Sequence, residues 1–309
     1  MSTASVPPPT AGAGTGVLVR PEDFHQAGAT AQAVTATPAA PARPAPHVVE
    51  IKNVSKTFTK DGRSFTAVRD VNFTVEDHPG VGEFISILGP SGCGKSTVIR
   101  MIAGLSPQHP ASTGTVKVFG QLVGGPGADR GMVFQDYTSF DHLSVLDNIA
   151  FGLKLRGMPV KERHALAMEW VAKVGLNKDT DARKFPHELS GGMRQRVAIA
   201  RTLILKPRII LMDEPFGALD PGTRSSMQDL LKQLWHEQQS TVFFITHALD
   251  EAVYLGDRAL IFSRAPGTIA HDLKLPGGLK PVREMQRDPE FQAAIGQVRE
   301  IMEQLEHPG

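Results

Sequence analysis

Cysteine occurs once in this chain of 309 residues, at Cys93. One thiol closes no intramolecular disulfide and builds no multi-cysteine metal site. An excess of either charge is missing too: 33 Lys and Arg stand against 32 Asp and Glu, a formal net charge of +1. The basic residues are scattered rather than blocked, so there is no polybasic arm for nucleic acid or anionic lipid, and no nucleic-acid partner is expected. Apolar runs such as "RIILM" from Arg208 and "STVFFIT" from Ser240 are far too short to cross a bilayer. The N-terminus lacks a basic segment followed by an apolar run, so it does not read as a secretory signal. These absences predict a soluble, intracellular globular protein.

Residues 1–46 are rich in Ala, Pro, Thr and Gly, as in "TATPAAPARPAP". Such a composition buries too little apolar surface to offset its ordering entropy, which predicts a disordered tail. From Val48 the pattern changes. "VVEIKNVS" and "FTAVRDVNFTV" alternate apolar with polar residues, which predicts antiparallel strands. "EFISILG" is a short apolar strand running into glycine, and "TVIRMIAGL" has helical spacing. From about Ser144 to Leu205, "LDNIAFGLKLRG", "KERHALAMEWVAKVGL" and "GGMRQRVAIARTLIL" place apolar residues at three- and four-residue intervals, as helices do. "RIILMDE", "TVFFITH" and "RALIFS" are buried-strand candidates alternating with the helix "TRSSMQDLLKQLWHEQQ". Alternating strands and helices predict a mostly parallel sheet covered on both faces, an α/β fold. "DPEFQAAIGQVREIMEQLE" closes the chain as an amphipathic helix started by Asp288 and Pro289.

The run Gly89, Pro90, Ser91, Gly92, Cys93, Gly94, Lys95, Ser96, Thr97 matches G-x-x-x-x-G-K-[ST] in full, between a predicted strand and a predicted helix. Its glycines let backbone N–H groups curl around the β- and γ-phosphates of a nucleotide at a helix N-terminus. Lys95 adds a point charge, and Ser96 offers a hydroxyl to Mg²⁺. Cys93 reads as a small loop residue. Asp213 and Glu214 end the apolar run "IILM", where carboxylates face the ligand crevice of an open α/β sheet. Asp213 suits Mg²⁺ held through water. Glu214 is placed to orient or deprotonate an attacking water. A second glycine loop, Ser190, Gly191, Gly192, stands before another predicted helix.

The order "GPSGCGKST", "VFQD", "LSGGMRQR", "ILMDEP", "GALD", "ITH" over residues 48–270 resembles that of the ATP-binding-cassette (ABC) ATPases. The resemblance implies a P-loop nucleotide-binding core with an antiparallel β-subdomain and a helical subdomain. Residues 47–275 would form the ATPase domain, with the helical subdomain at about 141–205 and a short helical extension at 276–309. It also explains the second glycine loop. In this family two cassettes dock head to tail, and "LSGGM" of one covers ATP held by the phosphate loop of the other. By position, Phe58 matches the aromatic that stacks on adenine. Gln135 matches the residue that senses Mg²⁺ and the attacking water, Asp220 an inter-subunit contact, and His247 the switch histidine at the γ-phosphate. ATP and Mg²⁺ are the cofactors implied.

Two classes of cassette compete: the energising subunit of a transporter, and a soluble cassette, not coupled to transport, that works on DNA or the ribosome. DNA-acting members interrupt the motifs with coiled coils or zinc modules, and ribosomal members carry tandem cassettes. One short cassette with one Cys favours the transporter. Its permease would be two subunits of separate chains, served by an external solute-binding protein, with this subunit on the cytoplasmic face of the inner membrane. "VFQDYTSFDHLSVLDNIAFGLKLRGMP" and "THALDEAVYLGDRALIFSRAPGTI" look like the nitrate, sulfonate, taurine and bicarbonate importer branch. That branch often has Pro-Trp where this chain has Asp141-His142. The segment Gln135 to Leu146 is where the resemblance places the permease contact, with Phe140, His142 and Leu143 as its apolar and aromatic surface.

Overall fold

Residues 47–136, 139–278 and 280–306 are described by a computed structural model. The tail expected at residues 1–46 lies outside them. The first alternating segments pair antiparallel as β1 (His47–Lys60) and β2 (Arg63–Glu76). Asp61 and Gly62 at the turn both have positive φ, 51° and 72°, as a two-residue hairpin with right-handed strand twist requires. β4 (Thr113–Val118) pairs with the other edge of β1, and the short β5 (Gln121–Leu122) follows it, so the antiparallel sheet runs β2-β1-β4-β5.

The second sheet takes its strands from distant parts of the chain: β3 (Phe84–Leu88), β6 (Arg130–Val133), β7 (Ile209–Asp213), β8 (Thr241–Ile245), β9 (Arg258–Phe262) and β10 (Ile269–Lys274). Their order is β10-β9-β3-β8-β7-β6. Every neighbouring pair is parallel except β9 with β10, a terminal hairpin. Successive residues of the central strands enter two different cores. Ile85 and Ile87 of β3, Leu211 of β7 and Phe243 and Ile245 of β8 face a core shared with β1, β2 and the helix α1 (Lys95–Ala103). Phe84, Leu88, Met212, Val242 and Phe244 face the other helices. Both faces are covered, which is why these strands read as unbroken apolar strings.

On that second side lie α2 (Val145–Leu155), α3 (Val160–Lys173) and α4 (Gly191–Leu203), all within the span predicted to be helical. Ser144 starts α2 by accepting a hydrogen bond from Asp147 N at 3.1 Å. α5 (Pro221–Gln238) links β7 to β8, and α6 (Leu249–Leu255) links β8 to β9. α7 (Val282–Met285) and α8 (Pro289–Glu306) complete the chain. Asp288 Oδ1 accepts from Glu290 N at 3.0 Å, the start expected for α8. Phe291, Ile295 and Val298 insert the apolar face of α8 into the same core as α6. β10, α6 and α7 were not anticipated: each is short, and β10 is mostly exposed, so none carries a strong periodic signal.

Candidate functional site

Four adjacent parallel strands bring their carboxyl ends to one rim of the sheet: β3, β8, β7 and β6, in that order. The chain leaves β3 into Gly89–Thr97, leaves β8 at Thr246 and His247, leaves β7 at Asp213 and Glu214, and leaves β6 two residues before Gln135. Segments far apart in sequence therefore converge because parallel strands point the same way.

The loop after β3 curls back through three glycines with positive φ: Gly89 at 147°, Gly92 at 76° and Gly94 at 98°. A side chain at Gly94 would run into Val68 of β2 and the Ala67 carbonyl. Only glycine combines that backbone with that closeness. Lys95 opens α1, and its buried ammonium donates to the carbonyls of Gly89 at 2.8 Å and Pro90 at 3.0 Å. The ammonium thus lies inside the loop that N–H groups at the start of α1 face. Ser91 and Gly92 are exposed, and Thr97 is half-buried on α1. Cys93 is fully buried and its thiol pKa is pushed up by burial, in keeping with a packing residue.

Ser96 donates its hydroxyl to Asp213 Oδ1 at 2.8 Å, and Arg100 donates to Asp213 Oδ2 at 2.9 Å. Ser96 and Arg100 are one helical turn apart on α1, so both reach the same carboxylate. That spacing was the available signal for Arg100, which the motif reading passed over. Beside them, Glu214 has φ 49° and donates its N–H to Ile245 O at 3.1 Å. A non-glycine residue in this region is held there by its surroundings. His247 Nε2 lies 2.8 Å from Glu214 Oε1, and the Gln135 amide donates to Glu214 Oε2 at 3.4 Å. Gln135, Glu214 and His247, expected separately from three motifs, form one constellation.

The other expected residues lie apart from it. Ser190 caps α4, accepting from Met193 N at 3.3 Å, with Gly191 and Gly192 as the first two helical residues. Capping uses the hydroxyl as acceptor and leaves its proton and the first N–H groups of α4 for another partner. Among the described residues, no hydrogen bond joins Ser190 to the phosphate loop. Asp220 caps α5, accepting from Gly222 N at 3.1 Å and Thr223 N at 3.0 Å. The Thr223 side chain first, and then these backbone N–H groups, hold its carboxyl below the usual aspartate range. Phe58 is half-exposed near the end of β1, and the Lys56 ammonium stands 5.2 Å from its ring centre.

A separate groove of about 510 Å³ opens between β6 and the helices. Met132, Phe140, Phe151, Leu155 and Leu205 line it, together with Arg130, Arg156 and Arg201. Phe140 packs against Phe151, with ring centres 4.3 Å apart and ring planes tilted by 43°. Of Phe140, His142 and Leu143, the aromatic and apolar surface expected there, only Phe140 faces this groove. His142 is exposed and Leu143 half-buried outside its lining. Phe151 and Leu155 were missed because a helical apolar face reads the same whether it meets a core or a groove.

Residues 68–217 match the ABC transporter family. The nitrate import ATP-binding protein of Synechocystis is 44% identical over 249 residues, covering 79% of this chain and 90% of that protein. The taurine import ATP-binding protein of Rhizobium johnstonii is 43% identical over 250 residues, covering 79% and 92%. The aliphatic sulfonates import ATP-binding protein of Bacillus subtilis is 40% identical over 258 residues, covering 84% and 95%. Among solved structures, a dimeric ATP-binding cassette in a post-hydrolysis state, bound to ADP and Pi, has a TM-score of 0.63 at 34% identity. That match covers 74% of this chain and 99% of the other. With the phosphate loop, the strand-end carboxylates and near-complete coverage of its relatives all in agreement, this chain belongs to the ABC transporter family, as an ATP-binding ATPase cassette.

Proposed function

We propose that the chain is the ATP-hydrolysing subunit of an importer that takes up a small anion, such as nitrate, sulfonate, taurine or bicarbonate, through a separate permease. The observation that carries the catalytic part is the convergence of Gln135, Glu214 and His247 beside the phosphate loop. Gly89–Thr97 cradles the β- and γ-phosphates, with Lys95 as their counter-charge, and Phe58 stacks on the base. Ser96, Asp213 and Gln135 would hold Mg²⁺; Ser96 and Asp213 supply hard oxygen donors that meet at 2.8 Å and fit that ion. Bound with the nucleotide, Mg²⁺ would neutralise charge developing on the phosphate oxygens.

Glu214 takes a proton from the attacking water. The Gln135 amide fixes one oxygen of that carboxylate, and His247, at 2.8 Å from the other, turns to the γ-phosphate. Ser190, Gly191 and Gly192 lie outside this constellation, with donors free at the start of α4. Those donors suit the γ-phosphate of ATP held by a second copy of the chain, and Asp220 lies at that contact. The apolar groove beside Phe140 suits a cytoplasmic helix of the permease. Among the described residues no helix is long and apolar enough to cross a membrane. The cassette would therefore sit peripherally on the cytoplasmic face of the inner membrane, held by two permease subunits that an external solute-binding protein supplies.

Replacing Glu214 by Gln tests this reading. The variant should bind ATP with parent affinity, lose most of its turnover, and elute as a dimer on size exclusion with MgATP. Hydrolysis at the parent rate would remove Glu214 from its role.

A further inference from the structure

Glu251, in the first turn of α6, is a carboxylate with 3% of its surface exposed, and it belongs to none of the family motifs named above. Three groups meet it. The Thr246 hydroxyl donates to Glu251 Oε2 at 2.5 Å, and the buried Gln228 side chain of α5 contributes to holding the carboxylate's pKa down against the upward push of burial. The buried Nε of Arg224 faces Oε1 at 3.6 Å and has no hydrogen bond of its own.

Each end of this cluster leads to a residue of the proposed site. At one end, the Thr246 hydroxyl also accepts from Ala248 N at 3.0 Å, so it closes a turn around His247. At the other, Arg224 donates through its guanidinium to Leu219 O at 3.1 Å and through its backbone N–H to Asp220 O at 2.9 Å. A cavity of about 220 Å³ is lined by Glu214 and His247 together with Arg224, Thr246 and Glu251. The chain thus joins the Asp220 turn to the histidine through buried polar groups, beside the carboxylate that handles water.

We propose that Glu251 is a positioning residue, a strut running from Thr246 to Arg224 that sets the stance of His247 according to the placement of the Asp220 turn. The strut rests on the reading of His247 as the group that meets the γ-phosphate and of Asp220 as a contact with the second subunit. Through it, docking of the second copy at Asp220 is felt at the histidine of the same chain. Glu251 and Arg224 act on the histidine through Thr246 and the Asp220 turn, so losing them changes the geometry of the reacting groups while the nucleotide stays bound.

The experiment uses the full chain and compares Glu251→Gln, Arg224→Gln, their double variant, Arg224→Lys and, as reference, His247→Ala. For each, kcat and KM for MgATP, the Kd of a fluorescent ATP analogue, and the Tm are measured. The strut predicts that kcat falls about tenfold or more in Glu251→Gln and in Arg224→Lys. KM and Kd should stay within about twofold of the parent. The double variant should be no slower than the worse single one, because one strut breaks only once.

The strut is overturned if Glu251→Gln and Arg224→Lys keep kcat within about twofold while His247→Ala is inactive. It is equally overturned if the losses multiply in the double variant, or if kcat falls only in step with the folded fraction reported by Tm. Should Glu251→Gln fail to fold, Arg224→Lys, which keeps the charge on a half-exposed side chain, decides by the same measures. Parent activity in His247→Ala would sink the catalytic reading instead, a distinct result.

Discussion

Asp213 shows how one residue is shared between folding and chemistry. It is 3% exposed and ionic, and it is compensated by the Ser96 hydroxyl on one oxygen and the Arg100 guanidinium on the other. Leaving a buried carboxylate without its charged partner costs more than the pair contributes, because desolvation of the remaining charge is then unopposed. Arg100 itself is partly exposed, which moderates the effect. Arg100→Met should therefore lower the stability of the nucleotide-free chain by about 1.5–3 kcal/mol, read from urea unfolding. Added MgATP should restore part of that loss; equal stability of the two proteins would show that the pair contributes nothing. Lys95, Ser96, Asp213 and Glu214 were legible in the sequence because a fixed spacing and a strand end announce them. Arg100 left only its one-turn spacing from Ser96 as a signal, and Arg224 and Glu251 left none, because their partners lie on other elements.

At the scale of elements, the antiparallel sheet carries its own charge device. Glu50 of β1 lies between Lys52 at 2.7 Å and Lys117 of β4 at 3.1 Å. Hydrogen bonds from Lys52 and then Lys117 hold its carboxyl down from 4.5 to about 2. The folded-state value is the lower one, so this contribution is fully present above the unfolded value. It is lost as pH falls from about 4.5 towards about 2. Glu50→Gln should flatten that part of the stability curve between those limits and leave the curve above pH 6 parallel to the parent's, as followed by thermal melts across pH. An unchanged acid limb would show that the lysines do not hold Glu50. The long helices and β1 and β2 were legible because their periods run over many residues, and the buried strands because they are unbroken apolar runs. β10 and α6 were not, since a few residues show no period, and pairing with β9 or packing on α8 is what orders them.

For the whole molecule, the groove between β6 and the helices is the feature with the largest functional reach. Its lining combines Met132 of β6, Phe140 of the segment before α2, Phe151 and Leu155 of α2, and Leu205 after α4. Leu155 is 72% exposed and extends the apolar lining of the groove to the surface of α2. Leu155→Asp combined with Phe151→Ser should shift the protein from the membrane to the soluble fraction of cells that express its permease. ATP binding should stay intact, since neither residue belongs to the phosphate loop. A variant that still sediments with membranes and supports uptake would place the permease contact elsewhere. Asp141-His142, the departure from the importer branch, lies outside this lining, so under the proposed docking at the groove it would not touch the permease helix.

Read alone, the sequence determined the glycine spacing of the loop Gly89–Thr97, the buried strands of the parallel sheet, and the family. Those signals are local: a glycine spacing, an apolar run, a motif order. Only the tertiary structure decided that Gln135, Glu214 and His247 meet within hydrogen-bonding distance, because that depends on β6, β7 and β8 being neighbours. It also decided that Phe140 shares a groove with Phe151 while His142 does not, and that Glu251 spans from Thr246 to Arg224. Adjacency of strands and the face that a helix turns to its neighbour are set by packing of the whole chain, and no local pattern encodes them.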